Sequence, residues 1–154
     1  MSIKSIQLSE LVVPLRTPFK TSLRTVDSVH DILVEITTED GIVGYGEAPP
    51  TAVITGATRA SITGAIEELI APKLIGKSVL SMEENQSLLH GALLGNTSAK
   101  AAVDMALYDL WSQKLGLPLY KALGGHRKTI ETDLTISVNP IEEMVKDSLE
   151  AVDR

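Results

Sequence analysis

Hydrophobic and polar residues alternate along the first part of the chain, which is typical of β-strands. The alternating stretches are residues 3–16, 29–38 and 42–48. Asp40-Gly41 separates the second stretch from the third, and this dipeptide suits the tight type I′ turn of a hairpin. Because the connections are short, the pattern predicts a three-stranded antiparallel meander.

Hydrophobic residues then recur at helical spacing, after a loop predicted over residues 49–56. The helical stretches are residues 62–70, 82–93 and 96–115, followed by a short helix over 117–123. Pro72 is predicted to end the first helix, and Ser81 with Glu84 predicts a capping box at the start of the second. The third helix is apolar almost all round, which predicts a central, buried position.

The stretch from residue 129 to residue 154 predicts one further strand and helix. Leu134, Ile136 and Val138 alternate with Thr135 and Ser137. Asn139 is then predicted as N-cap, with Pro140 at the first helical position. The helix carries an apolar stripe of Ile141, Met144, Val145, Leu149 and Val152. A strand followed by a helix is the repeating unit of α/β barrels. The fold class is therefore α+β, with a boundary at Gly125 and the first βα unit of a barrel in residues 126–154.

The composition of the chain argues against several functional classes. Hydrophobic residues make up 44% and charged residues 22% of the 154 residues, which is typical of a globular chain. The net charge of −6 argues against binding to nucleic acid or to an anionic membrane. The chain has no cysteine, which excludes disulfides and thiolate metal sites. Since the chain also lacks a signal-peptide pattern and a membrane-spanning apolar run, we expect a cytoplasmic protein.

A polar loop predicted over residues 17–27 carries the first candidate binding group. Lys20 and Arg24 supply two positive charges there, among several hydroxyl groups. A guanidinium group donates a fork of hydrogen bonds that matches a carboxylate, so the loop could clamp an anionic ligand. The alternative is an ordinary solvated surface loop.

Thr135 and Ser137 are the second candidate pair, because they point away from the apolar face of their predicted strand. At the C-terminal end of a barrel strand, such residues face the active site. The alternative is a strand with one wet face.

The remaining polar motifs give no catalytic pair. Glu47 could act as an acid beside a mobile loop, but pairing with a base or donor from the loop is the alternative. Asp104 and Asp109 lie on the predicted central helix, where acids usually have structural partners. The three histidines, His30, His90 and His126, do not have metal-ligand spacing. Gly44-Tyr45-Gly46 lacks the third glycine and the following helix of a dinucleotide-binding motif.

Five stretches, taken together, resemble the enolase superfamily, and within it the dipeptide epimerases of the L-Ala-D/L-Glu epimerase type. They are residues 13–25, 43–51 with 54–56, 96–111, 117–125 and 131–137. They occur in order and cover most of the chain. The resemblance implies an enolase-like N-terminal capping domain in residues 1–125, followed by the first βα unit of an incomplete (β/α) barrel in residues 126–154.

The resemblance also implies roles for particular residues. Two capping loops, residues 19–25 and 49–56, would close over a small anionic dipeptide. Arg24 and Thr135 match substrate-binding positions of the family. The further substrate-binding residues implied are Phe19, Thr21, Thr25, Ile54 and Ser137. Muconate cycloisomerases and o-succinylbenzoate synthases are the rival subgroups.

The family reaction is epimerisation at a carbon next to a carboxylate. One lysine abstracts the proton, a second lysine returns it on the other face, and Mg²⁺ held by barrel acids stabilises the intermediate charge. A complete barrel takes about 250 residues, and the 154 residues contain neither the Lys-x-Lys motif nor the metal ligands. We therefore expect no catalytic residue and no bound Mg²⁺ in this chain alone, with Mg²⁺ bound by the full-length enzyme.

The expected partners are the remainder of the barrel or another copy of the chain, in a homo-oligomer. The alternative function is a non-catalytic binding or assembly module. If residues 129–154 are an isolated piece of a barrel, they should be disordered or should pair with a second copy.

Overall fold

The computed structural model describes residues 2–127 and 129–153, and its sheet confirms the predicted meander. The strands are β1, Ile3–Lys20, β2, Thr25–Thr38, and β3, Val43–Ala48, in the order β1-β2-β3. β2 and β3 run antiparallel, with Ile32 opposite Ala48 and Ile36 opposite Gly44. Both β1 and β2 extend into the predicted polar loop, so residues 21–24 form a tight turn in its place.

Helices follow the meander, as predicted, and the α+β fold class is confirmed. The helices are α1, Ala52–Thr55, α2, Arg59–Gly64, a π-helix, Ala65–Ile70, α3, Ala71–Leu74, α4, Met82–His90, α5, Thr97–Leu115, α6, Leu119–Ala122, and α7, Ile141–Val152. The loop predicted over residues 49–56 thus contains one helical turn.

The prediction that Pro72 ends the first helix was wrong, because helical structure continues to Leu74. The preceding turns are π-helical, and the N–H of Ala71 donates to the carbonyl oxygen of Ile66, five residues earlier. Proline has no N–H to place in a helical hydrogen bond. The wider turn before Pro72 therefore lets the helix pass this residue.

Two predicted helix caps were also wrong. Ser81 is the N-cap of α4 but makes no side-chain cap hydrogen bond. Helix α7 begins one residue later than predicted, so Pro140 is its N-cap and the side chain of Asn139 stands too early to cap it. The capping box that forms lies on α2 instead, where Thr58 and Ser61 each bond the other's backbone N–H.

The core lies between the sheet and the helices, and α5 is its central element. The buried residues of α5 are Ala99, Ala102, Val103, Ala106, Leu107, Leu110 and Ser112. β3 meets this helix with Gly44 and Gly46. A Cβ at Gly46 would stand 1.8 Å from the carbonyl oxygen of Ala102, and one at Gly44 would stand 2.4 Å from that of Ala106. The Gly-x-Gly motif thus permits close packing of the strand against the helix.

The chain divides into two compact units, which interleave along the sequence. The first unit contains residues up to 11 and residues 30–126, and the second contains residues 12–29 and those from 127 onward. The first unit holds the core described above. The boundary at Gly125 stays a prediction.

In the second unit, the strand predicted over residues 131–138 is not formed. A strand requires a ladder of hydrogen bonds with a neighbour. Within residues 2–127 and 129–153, this segment makes one backbone hydrogen bond of that kind, from the N–H of Val138 to the carbonyl oxygen of Lys20. Helix α7 is confirmed, and its apolar stripe is exposed: Ile141 is 75% and Leu149 is 63% accessible.

Candidate functional site

The turn between β1 and β2 presents Arg24, and Thr21 holds that turn in shape. The N–H of Thr21 donates to the carbonyl oxygen of Arg24 at 2.9 Å. In return, the hydroxyl oxygen of Thr21 accepts hydrogen bonds from the N–H groups of Leu23 and Arg24, each at 3.2 Å. The hydroxyl group of Thr21, which the sequence predicts as a ligand contact, is therefore occupied by the turn.

Arg24 itself is half-buried. Among residues 2–127 and 129–153, no hydrogen bond or ion pair joins its guanidinium group to another side chain. The turn thus holds a cationic group that has no side-chain partner among the described residues, and its role in binding an anionic ligand stays a prediction.

A second segment of the same unit meets the end of β1. The N–H of Val138 donates to the carbonyl oxygen of Lys20 at 3.0 Å. The N–H of Lys20 donates to the hydroxyl oxygen of Ser137 at 3.4 Å, across 117 positions of the sequence. These two bonds join the hairpin that carries Arg24 to the segment that carries Thr135.

A depression of about 400 Å³ lies beside this junction. Its lining consists of Arg16, Thr17, Leu134, Thr135, Ile136, Ser137, Asp147, Glu150 and Ala151. The structure therefore brings Thr135 and Ser137 into one concave surface, but it does not place Arg24 in that lining. The hydroxyl groups there can donate or accept hydrogen bonds, and charges of both signs surround them.

Sequence reasoning missed three charged residues of the depression, Arg16, Asp147 and Glu150. Arg16 lies on a strand whose alternation indicates only burial and exposure. The two acids lie on the polar side of an amphipathic helix, where charged residues are ordinarily solvated. The sequence offers one indication for Arg16, which directly precedes the predicted loop that carries Arg24.

The other predicted contact residues are distributed over both units. Phe19, near the end of β1, is half-buried, and Thr25, at the start of β2, is exposed. Ile54 belongs to the first unit and lies on α1, where it is 63% accessible. The N–H of Ile54 donates to the carbonyl oxygen of Thr51 at 2.9 Å, so a formed helical turn presents this side chain.

Glu47 pairs with an acid of the neighbouring strand, and not with the base or donor from the loop that the sequence analysis considers. Its carboxyl group is hydrogen-bonded to that of Asp31, a buried residue of the neighbouring strand. This hydrogen bond raises the pKa of Glu47, and both desolvation and the negative charge of Asp31 add to the effect. The folded chain therefore favours the protonated form of Glu47.

Both acids of α5 have structural partners, as expected for a buried helix. Asp109 accepts a hydrogen bond from the N–H of Tyr45 at 3.0 Å, which joins α5 to β3. Asp104 accepts one from the side-chain amide of Gln86 on α4. These contacts attach neighbouring elements to the central helix.

In residues 2–127 and 129–153, no three histidine, aspartate or glutamate side chains are grouped so that they could hold a metal ion. None of the described helices has the length and apolar character needed to cross a membrane.

Comparison with known proteins relates this chain to dipeptide epimerases. It is 53% identical to the L-Ala-D/L-Glu epimerase of Bacillus subtilis over 96% of this chain and 40% of that protein. It is 51% identical to the L-Ala-D/L-Glu epimerase of Clostridium acetobutylicum over 99% of this chain and 42% of that protein. The chain therefore spans about 40% of the length of these relatives.

Solved structures give the same relationship. The substrate-liganded Bacillus subtilis epimerase matches with a TM-score of 0.94 and 51% identity, covering 99% of this chain and 43% of that one. A dipeptide epimerase from Enterococcus faecalis, complexed with Mg and the dipeptide L-Leu-L-Tyr, matches with a TM-score of 0.92 and 35% identity, covering 99% and 43%. The resemblance described from the sequence is confirmed by these matches. Residues 3–124 match the N-terminal domain of the mandelate racemase and muconate lactonizing enzymes, and the chain therefore belongs to that family.

Proposed function

We propose that this chain is the substrate-recognising N-terminal part of a dipeptide epimerase, and that the complete protein inverts the α-carbon of a dipeptide with an acidic second residue. The similarity to two L-Ala-D/L-Glu epimerases, at 53% and 51% identity, supports both the reaction class and the acidic residue. Since the chain spans about 40% of those relatives, we assign recognition to it and proton transfer to the remainder of the protein.

The observation that carries this proposal is the pair of hydrogen bonds between Lys20 and residues 137 and 138. They hold the hairpin bearing Arg24 and the segment bearing Thr135 in one compact unit. We propose that Arg24 binds the carboxylate of the acidic side chain, because its guanidinium group has N–H donors without side-chain partners and carries the opposite charge. Thr135 supplies a hydroxyl group to the polar part of the same ligand.

The proposal also covers the partners of the chain. The remainder of a (β/α) barrel completes the enzyme and binds Mg²⁺. The dipeptide epimerase of Enterococcus faecalis, which was solved in complex with Mg, supports the choice of this ion. The absence of cysteine is compatible with a reducing cytoplasm, which we propose as the location. Homo-oligomerisation stays a prediction.

A substrate panel tests the proposal. The complete protein, supplied with Mg²⁺, is incubated with L-Ala-L-Glu, L-Ala-L-Gln and L-Ala-L-Leu, and the epimers are separated by chiral chromatography. We expect turnover of all or some of these, with the highest kcat/KM for L-Ala-L-Glu, because only this ligand offers Arg24 a side-chain carboxylate. Equal kcat/KM for L-Ala-L-Glu and L-Ala-L-Gln contradicts the assigned specificity, and turnover of none of the dipeptides contradicts the reaction class.

A further inference from the structure

Ser137 and Val138 together bond both backbone polar groups of Lys20. The hydroxyl oxygen of Ser137 accepts a hydrogen bond from the N–H of Lys20 at 3.4 Å, and the N–H of Val138 donates to the carbonyl oxygen of Lys20 at 3.0 Å. Ser137 is half-buried. Two adjacent residues thus bond both backbone polar groups of the last residue of β1, in addition to the hydrogen bonds that pair β1 with β2.

Lys20 is followed directly by the turn that presents Arg24. The next residue, Thr21, closes the turn through bonds of its hydroxyl oxygen to the N–H groups of Leu23 and Arg24. Ser137 is therefore connected to Arg24 by the hydrogen bond between Ser137 and Lys20, the peptide bond from Lys20 to Thr21, and the hydrogen bond between Thr21 and Arg24. The position of the guanidinium group depends on where the base of this turn is held.

We propose that Ser137 is a positioning residue, whose hydroxyl group fixes the base of the 21–24 turn and thereby places Arg24 for the side-chain carboxylate of the substrate. This inference rests on the proposed function. It changes the role expected for Ser137 from the sequence, since the hydroxyl oxygen is engaged with the backbone of Lys20. Ser137 acts on specificity through Arg24, and direct contact with the ligand is not required.

The test compares Ser137→Ala with Ser148→Ala in the complete enzyme. Ser148 is a matched control from the same unit, since its hydroxyl group donates to the carbonyl oxygen of Met144 within α7. For Ser137→Ala we expect KM for L-Ala-L-Glu to rise about 3- to 10-fold, which corresponds to one lost hydrogen bond. We expect kcat to change less than twofold, KM for L-Ala-L-Leu to stay the same, and Ser148→Ala to match the wild type. Ser137→Thr, which keeps the hydroxyl group, should restore KM.

A double-mutant cycle decides whether the effect passes through Arg24. If it does, Ser137→Ala raises KM no further in an Arg24→Ala background, because the group that it positions is already gone. An equal rise in both backgrounds overturns the inference, since it shows that Ser137 acts independently of Arg24.

Amide hydrogen exchange gives a readout that does not depend on turnover. In Ser137→Ala the N–H groups of Lys20, Leu23 and Arg24 should exchange several-fold faster, with no change in Ser148→Ala. If the exchange rates of these three amides do not change, the role of Ser137 is overturned and the proposed function is unaffected. A wild-type enzyme that turns over no dipeptide overturns the proposed function and, with it, the role assigned here to Ser137.

Discussion

Gly46 of β3 lies directly against Ala102 of α5: a Cβ at position 46 would stand 1.8 Å from the carbonyl oxygen of Ala102. No side chain can occupy that space without moving the strand from the helix. Because α5 is the central element of the core, this contact sets the spacing between the sheet and the helical layer. The glycine is therefore required by packing and not by any bound phosphate.

Gly46→Ala should destabilise the first unit strongly. The added methyl group meets backbone atoms that cannot rotate away, and overpacking of this kind costs about 1–3 kcal/mol or more. Thermal unfolding, monitored by circular dichroism, should show a Tm that is lower by about 2–4 °C for each kcal/mol lost from the free energy of unfolding. Gly64→Ala is the control, because the nearest atom to its new Cβ, on the side chain of Glu68, is 3.9 Å away. A Gly46→Ala variant as stable as Gly64→Ala would show that the strand adjusts freely.

Glu47→Gln should change how stability depends on pH. The hydrogen bond with Asp31 raises the pKa of Glu47, with further contributions from partial desolvation and from the charge of Asp31, so the folded state favours the protonated form of Glu47. This preference for the protonated form stabilises the folded state fully below 4.5, the ordinary pKa of a glutamate. The stabilisation is lost as pH rises through the raised pKa. Glutamine stays neutral and keeps a donor for Asp31. At pH 7 the variant should therefore be more stable than the wild type, by less than about 1 kcal/mol because Glu47 is exposed.

Urea unfolding from pH 4 to pH 8 measures this effect. The advantage of Glu47→Gln should disappear towards pH 4, whereas Glu67→Gln, an exposed acid on the π-helix, should show no such trend. A constant difference between Glu47→Gln and the wild type at every pH would mean that folding does not raise the pKa of Glu47.

Thr58→Ala should destabilise the start of α2, while Ser81→Ala should have little effect. Thr58 accepts a hydrogen bond from the N–H of Ser61 at 3.1 Å, whereas Ser81 makes no cap bond at α4. Loss of a working N-cap costs about 0.5–2 kcal/mol. Urea unfolding at constant pH compares the two variants, and equal loss of stability in both would contradict the assigned capping box.

These capping residues show what local sequence rules can and cannot supply. Ser81 with Glu84 has the usual capping-box spacing but makes no cap bond, whereas Thr58 with Ser61 forms the box with a serine at the third position. The alternation around Val34 predicts β2 correctly, since it reflects burial along a single strand. Contacts between distant residues left no such local pattern: the carboxyl pair of Glu47 with Asp31 became evident only in the folded chain.

The segment over residues 131–138 makes the same point for strands. Its alternation is that of a strand, but a strand forms only when a neighbour completes its ladder. In the part of the chain that the structure describes, the N–H of Val138 bonds to Lys20 and no ladder follows from that bond. Arg24 and Thr135 were identified as candidates by residue type and by resemblance. The depression that contains Thr135 also depends on Arg16, whose side chain is brought there by the fold.

Arg24→Ala in the complete enzyme should mainly weaken binding of an anionic dipeptide. A lost hydrogen bond to a charged group is worth about 1.5–3 kcal/mol, or about tenfold to more than a hundredfold in kcat/KM. Arg127→Ala, which removes an exposed positive charge from the same unit, is the control for a general charge effect. Steady-state kinetics with L-Ala-L-Glu measure both variants, and an unchanged kcat/KM in Arg24→Ala would show that this residue does not bind the substrate.

Proton exchange at the α-carbon tests the division between recognition and chemistry most directly. L-Ala-L-Glu is incubated in D₂O with Mg²⁺ and either the complete protein or residues 1–154 alone, and deuterium incorporation is followed by NMR. The complete protein should exchange the α-proton, whereas residues 1–154, which lack a Lys-x-Lys motif, should not exceed a heat-killed control. Exchange by residues 1–154 at a rate proportional to protein concentration, or no exchange by the complete protein, would contradict the account.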